Sequence, residues 1–156
     1  MAKVKTNAMR ILNAAKISYK HYEYDPETTD GVLVAGLLGQ PCEKVFKTLV
    51  TEGASKNHYV FVIPVGQTLD LKAAAKTVGE KSVAMIKQKE LLGLTGYIHG
   101  GCSPVGMKKQ FRTVFHSSAA EQETICVSAG QRGNQIEVSV CELCELVKAE
   151  FADIIM

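Results

Sequence analysis

Between Gly96 and Gly106 the chain reads Gly-Tyr-Ile-His-Gly-Gly-Cys-Ser-Pro-Val-Gly, and four glycines and a proline in eleven residues exclude both a helix and a regular strand. Whatever folds around this segment is built from shorter elements on either side of it. Glycine has no side chain to hold a second backbone away, so such a loop either turns tightly or approaches something closely. Successive amides in a loop of this kind can also cradle an anion or a carbonyl oxygen. A tight turn between two elements is the plainer reading, and an amide-lined pocket is the functional one. The pattern matches neither the phosphate loop of ATPases nor the dinucleotide fingerprint, so a nucleoside-triphosphate enzyme is unsupported.

The flanking segments are short and mixed in type. Val4, Ala8, Ile11, Leu12 and Ala15 fall on one helical face, and Ser18 to Tyr24 alternates around three tyrosines as a half-buried strand. Val32 to Leu38 reads as a short helix ended by Gly39, and Asp70 caps a helix over Leu71 to Val78 that Gly79 closes. Strands are expected at Val45–Thr51, Tyr59–Pro64, Arg112–Phe115, Thr124–Val127 and Gln135–Val138, with a short helix at Lys87–Leu92 closed by Gly93. Ser139 to Glu142 is a capping box that opens a last helix, whose stripe is Leu143, Leu146, Val147, Phe151 and Ile154. Interspersed helices and strands without a linker imply an α+β (mixed α/β) fold, with residues 1–156 as one domain.

Composition narrows the function classes. No apolar run approaches the ~20 residues of a membrane helix, and the lysines of the first ten residues have no apolar stretch behind them, so a cytosolic protein is expected. The net charge of +2 is too small for a long nucleic-acid track, and an RNA ligand would be held locally, at one end. Five scattered cysteines, an odd number, do not form a disulfide scaffold and are read as reduced thiols. Neither they nor the histidines have metal-ligand spacing, so no metal and no cofactor are expected.

Three further features bear on chemistry. Ser128-Ala129-Gly130-Gln131-Arg132-Gly133 follows a strand and is either a hairpin turn or a second amide-rich loop that presents the Ser128 hydroxyl. Lys47 lies within Val45 to Val50, where a strand would set it beside Val45 and Leu49 on one face. It is either an edge-strand lysine reaching water along its stem or an ammonium at a pocket mouth. His99 with Cys102 invites a cysteine-hydrolase reading, but no acidic residue nearby would orient the histidine. Cys141 and Cys144 have oxidoreductase spacing, yet they fall inside the last helix and read as packed or half-exposed thiols.

Taken together, the chain resembles the YbaK/EbsC family, relatives of the editing domain inserted in many bacterial prolyl-tRNA synthetases. The resemblance runs from about Ile17 to Ile154. It is carried by Val45-Phe46-Lys47-Thr48-Leu49, Leu69-Asp70-Leu71-Lys72, Thr95-Gly96-Tyr97 through Gly100 to Lys109, Ser128 to Gly133, and Phe151-Ala152-Asp153-Ile154. It implies a curled, partly barrel-like mixed sheet surrounded by helices, with a pocket for the charged 3′ end of tRNA. The family's activity is deacylation of Cys-tRNA(Pro), with Cys-tRNA(Cys) also cleaved, and prolyl-tRNA synthetase is an implied partner.

The resemblance places the family's functional lysine on Lys47, its first pocket glycine on Gly100, its pocket serine on Ser128 and a pocket tyrosine on Tyr24. Arg132 takes the basic position of the second loop. Gly101 stands beside Gly100 as an amide donor, and Ile98, Ser103, Pro104 and Gly130 are candidate substrate contacts on the two loops. The family often has aspartate where this chain has Gln135, and an aliphatic residue where it has Cys102. The competing expectations are an editor of another ester, such as Ala-tRNA(Pro), and a synthetase-associated module without catalysis.

Overall fold

Along one strand, Ile136 and Val138 are buried on one side while Gln135 and Glu137 lie on the other, and this period of two separates a packed face from a polar one. The computed structural model describes residues 5–156. Its elements in order are α1 (Asn7–Ala14), β1 (Tyr19–Glu23), α2 (Gly31–Leu38), β2 (Phe46–Gly53), β3 (His58–Pro64), α3 (Leu71–Val78), β4 (Val83–Met85) and α4 (Gln88–Thr95). They are followed by β5 (Arg112–His116), a 3-10 turn at Ser117–Glu121, β6 (Thr124–Gln131), β7 (Asn134–Ser139), α5 (Val140–Val147) and β8 (Glu150–Ala152). The α+β expectation holds.

The strands form a three-stranded sheet, β1-β7-β6, and a five-stranded sheet, β4-β2-β3-β5-β8. The smaller sheet is antiparallel, and the larger is mixed, with β5 parallel to both β3 and β8. A parallel bridge between Val45 and Cys126 joins the two, and Cys126 N–H donates to the Lys44 carbonyl at 2.9 Å. The curled mixed sheet is thus two sheets meeting at one seam. Phe46, Val60, Val62 and Phe115 of the larger sheet pack on Ile125, Val127, Ile136 and Val138 of the smaller, with Ala8, Met9 and Leu12 of α1 and Leu143 of α5. The opposite face of the larger sheet, with Phe61, Ile63 and Val114, is covered by Ala74, Ala75 and Val78 of α3. Each large side chain removed from water in these layers contributes ~1.5–3 kcal/mol.

Helix ends follow their caps. The side chains of Thr6, Asp30, Asp70 and Ser139 accept from amides of the first turns of α1, α2, α3 and α5, and Gly39 and Gly79 close α2 and α3 in the left-handed conformation. The fourth helix departs from expectation. It runs through Gly93 and ends at Gly96, whose N–H donates to the Leu92 carbonyl at 2.8 Å.

The last helix is also shorter than its apolar stripe. Lys148 adopts φ 56° and Ala149 N–H donates to the Cys144 carbonyl, so the chain turns away into β8. Phe151 lies on that strand, 44% exposed, and Ile154 is buried against the α3 layer instead. Pairing of β8 with β5 overrides the helical period there. In the first helix Met9 is buried and Ala15 exposed, and Val4 lies outside the described residues.

Candidate functional site

In β2, backbone groups of successive residues alternate between the strand's two edges. Gly53 N–H donates to Asn57 on the β3 side, whereas the Val50 carbonyl accepts from Ile86 on the other side. On that second edge β4 pairs with Thr51–Gly53, and β6 forms a bridge at Val45. Between those two points the edge has no strand partner among the described residues, and Phe46–Leu49 line a cavity of about 170 Å³. From the smaller sheet come Ser128 and Gln135, which sit opposite one another in the β6–β7 register. The walls are completed by Tyr24, Thr29, Gly31 and Val34 before and within α2, Val65 after β3, Leu91 of α4, and His99, Gly100 and Cys102 of the central glycine loop.

The lysine is half-buried and, among the described residues, makes no ion pair. Removal of water around it draws its pKa below the ordinary 10.5, while the Asp30 carboxylate pulls the other way. An unpartnered cation in a small cavity attracts an anionic or strongly dipolar group. Ser128 is buried, and its Oγ accepts from Gly130 N–H at 3.1 Å. Among the described residues no base is hydrogen-bonded to it. Gln135 is buried with its Oε1 lacking any partner, and the Oγ1 of Thr48 is in the same condition. Both residues line the cavity, so an amide oxygen and a hydroxyl lie there without partners among the described residues. The Cys102 thiol is pushed up to about 12 by burial, which leaves almost no thiolate near neutral pH.

The central glycine loop is held against the β6–β7 hairpin. Arg132 Nε donates to the His99 carbonyl at 2.8 Å. A Cβ on Gly101 would lie 3.0 Å from Arg132 N, and one on Gly100 would lie 2.9 Å from the Thr29 side chain at a backbone φ of +85°. Both positions therefore need glycine, Gly101 for close approach and Gly100 for conformation as well. A β-bulge between Ser128 and Gln131 bends β6 away at this point.

Of the residues singled out from sequence, Tyr24, Lys47, Gly100, Ser128 and Gln135 come together on the cavity wall. His99 and Cys102 of the cysteine-hydrolase reading line it too, whereas the remaining candidates, Ile98, Gly101, Ser103, Pro104, Gly130 and Arg132, do not. Gly101 and Arg132 form the loop contact, and Gly130 packs against the Tyr97 ring. Ser103 and Pro104 are buried in the loop, with Ser103 Oγ accepting from Val105 N–H, and Ile98 is 48% exposed. Thr29 and Thr48 were not among the candidate site residues, since a threonine beside a loop or in a strand carries no distinguishing signal. Among the described residues, no three His, Cys, Asp or Glu side chains gather as metal ligands, and no helix is long and apolar enough to cross a membrane.

A cavity holding a lysine that makes no ion pair among the described residues, at the parting of two sheets, coincides with the match of residues 25–146 to the family model described as an aminoacyl-tRNA editing domain. The chain belongs to that family. It is 46% identical over 152 residues, 96% of this chain and 93% of the other, to an Enterococcus faecalis protein named "Putative Cys-tRNA(Pro)/Cys-tRNA(Cys) deacylase EbsC". Among solved structures, a hypothetical protein superposes with TM-score 0.86 at 24% identity, covering 94% of this chain and 97% of that one. The fold is also that of "a putative trans-editing enzyme for prolyl tRNA synthetase", with TM-score 0.82 at 21% identity and 99% of each chain covered.

Proposed function

We propose that this protein is a cytoplasmic trans-editing deacylase that removes cysteine from mischarged Cys-tRNA(Pro), and also from Cys-tRNA(Cys), with residues 1–156 acting as one editing domain. The family membership and the name of the Enterococcus relative support the substrate class. The observation that carries the mechanism is a cavity with an ammonium and buried acceptors but no paired nucleophile and base. An aminoacyl ester is already activated, so positioning and charge stabilisation suffice.

In this reading the substrate supplies its own nucleophile. The cysteinyl sulfur attacks the carbonyl carbon of its own ester, the C–O bond to the ribose breaks, and the ribose oxygen leaves with a proton. The products are tRNA with a free hydroxyl and a cyclic thioester. Lys47 meets a terminal phosphate or ribose oxygen, the loop at Gly100 and Gly101 holds the carbonyl oxygen or the α-amine, and Ser128 and Tyr24 bound the site. Neither Cys102 nor Ser128 has to be ionised.

Deacylation of tRNA(Pro) charged with Cys, Ser or Ala, beside Cys-tRNA(Cys), tests this. A free thiol has a pKa of ~8.5 and a hydroxyl is essentially never ionised, so the Cys ester should be cleaved far faster than the Ser ester at similar affinity. Equal turnover of the two would sink the thiol-assisted route. Preferential loss of Ala would identify an alanine editor, and no turnover of any ester would leave a tRNA-binding module associated with prolyl-tRNA synthetase.

A further inference from the structure

Apart from the cavity above, an open groove of about 900 Å³ lies between α1 and β1. Its rim carries Lys5, Lys16 and Lys20 against a single carboxylate, Glu23, with Asn13 and Tyr19 between them. None of these lysines makes an ion pair among the described residues. Lys5 instead meets the Tyr19 hydroxyl at 3.5 Å, and Lys20 lies 5.2 Å from the Tyr22 ring centre.

Lys16 is the least expected of the three. It follows α1 at φ 61°, a left-handed position where glycine or asparagine is at ease and a long side chain is not. Lys56 and Lys148 take the same conformation elsewhere; at Lys16 it sets a charge on the rim of the groove. The groove and the cavity are linked through β1. Ser18 lines the groove and Tyr24 lines the cavity, six positions apart on one extended segment, about 20 Å of strand.

We infer that the α1–β1 groove docks the phosphate backbone of the tRNA stem while the single-stranded 3′ end runs along β1 to the cavity. The inference rests on the proposed function for the identity of the nucleic acid. Polar and cationic groups along an open rim fit phosphates, which are held by charge without any reading of bases. The small net charge of the chain is no obstacle, because the groove itself carries three lysines against one carboxylate. A lysine that only guards the free edge of β1 would satisfy the same sequence but would not affect tRNA.

The experiment uses the full chain and uncharged tRNA(Pro) transcript, titrated at several salt concentrations, with wild type and Lys16→Gly/Lys20→Gln. The glycine keeps the left-handed position without strain, so the fold is retained as the charge is lost. The double variant should bind about 10-fold more weakly at low salt, and the slope of log affinity against log salt should flatten by about 2. A cysteinyl-adenosine ester, which lacks the stem, should be cleaved at the wild-type rate. Equal tRNA affinity and slope in the two proteins would overturn the groove, as would an equal loss of ester cleavage in the double variant. Wild-type protein that binds tRNA through the groove but cleaves no aminoacyl ester would overturn the proposed function alone.

Discussion

Lys47 and Ser128 each stand two residues beyond the same β-bridge, Val45 with Cys126, on parallel strands that separate from that point. With a period of two, each side chain returns to the face occupied by its bridge residue, where Val45 and Cys126 pack together. The ammonium and the hydroxyl therefore enter one wedge from its two walls. Gln135, opposite Ser128 in register, adds the third polar group to the same face.

Lys47→Ala should lower deacylation of Cys-tRNA(Pro) by ~100-fold or more, the scale of a lost electrostatic contact in a transition state. Its thermal midpoint should not fall, because the charged form is the one that burial penalises. If Lys47 meets the tRNA, the lowered pKa should set an alkaline limb of binding, with affinity declining as pH rises through a value below 10.5. Lys47→Arg, which stays charged to higher pH, should move that limb upward. Wild-type turnover in Lys47→Ala would remove the lysine from the site.

Gln135→Leu should separate stability from activity. Replacing an acceptor that has no partner with an apolar group of similar size is expected to leave stability unchanged or raise it by up to ~1 kcal/mol. Deacylation should fall by ~10-fold or more if the Oε1 accepts from the bound aminoacyl group. Chemical denaturation and single-turnover kinetics on one preparation read both quantities. A variant that is less stable but equally active would reverse the assignment.

Cys102→Ala should keep most activity, since a thiol held near pKa 12 is not a nucleophile at neutral pH. Thiol-modifying reagents and chelators should likewise leave turnover in place when applied to enzyme freed of substrate. Loss of all activity in a folded Cys102→Ala protein would restore the cysteine-hydrolase reading.

Glu137 provides a pH signature outside the cavity. Its carboxylate accepts from Thr124 Oγ1 at 2.6 Å, Lys44 Nζ at 2.9 Å and the Tyr22 hydroxyl at 2.8 Å, and its pKa is pulled from 4.5 to about 2. A folded-state pKa below the unfolded one gives stability that is present above pH 4.5 and lost as pH falls toward 2. Glu137→Gln should flatten that part of the acid-denaturation curve. At pH 7 it should cost about 2 kcal/mol, since hydrogen bonds to a charge are lost and Lys44 is left unpaired.

The sequence was most legible where a local rule acts alone. Asp70 and Gly79 bound α3 as their chemistry requires, and the alternation of β7 marks which of its faces is packed. Legibility failed where a partner distant in sequence decides the outcome. Phe151 and Ile154 continue a helical stripe on paper, but pairing with β5 draws that segment into a strand. The three-residue β4 exists only because β2 offers it an edge, and nothing in Val83–Met85 signals it. In the site, residue types with distinctive chemistry, Lys47 and the glycines, stood out. Thr48 and Thr29 did not, since their importance comes from the gap in the β2 edge and from the crowding around Gly100.

The contact of Gly101 with the Arg132 amide, latched by Arg132 on the His99 carbonyl, has a consequence for how such proteins can diversify. Two segments about thirty positions apart lie backbone on backbone with no room for a side chain between them. They form one inheritable cassette. A chimera that takes only one loop from a relative would set a foreign main chain into a gap cut for another, whereas exchanging both together would transplant the wall intact.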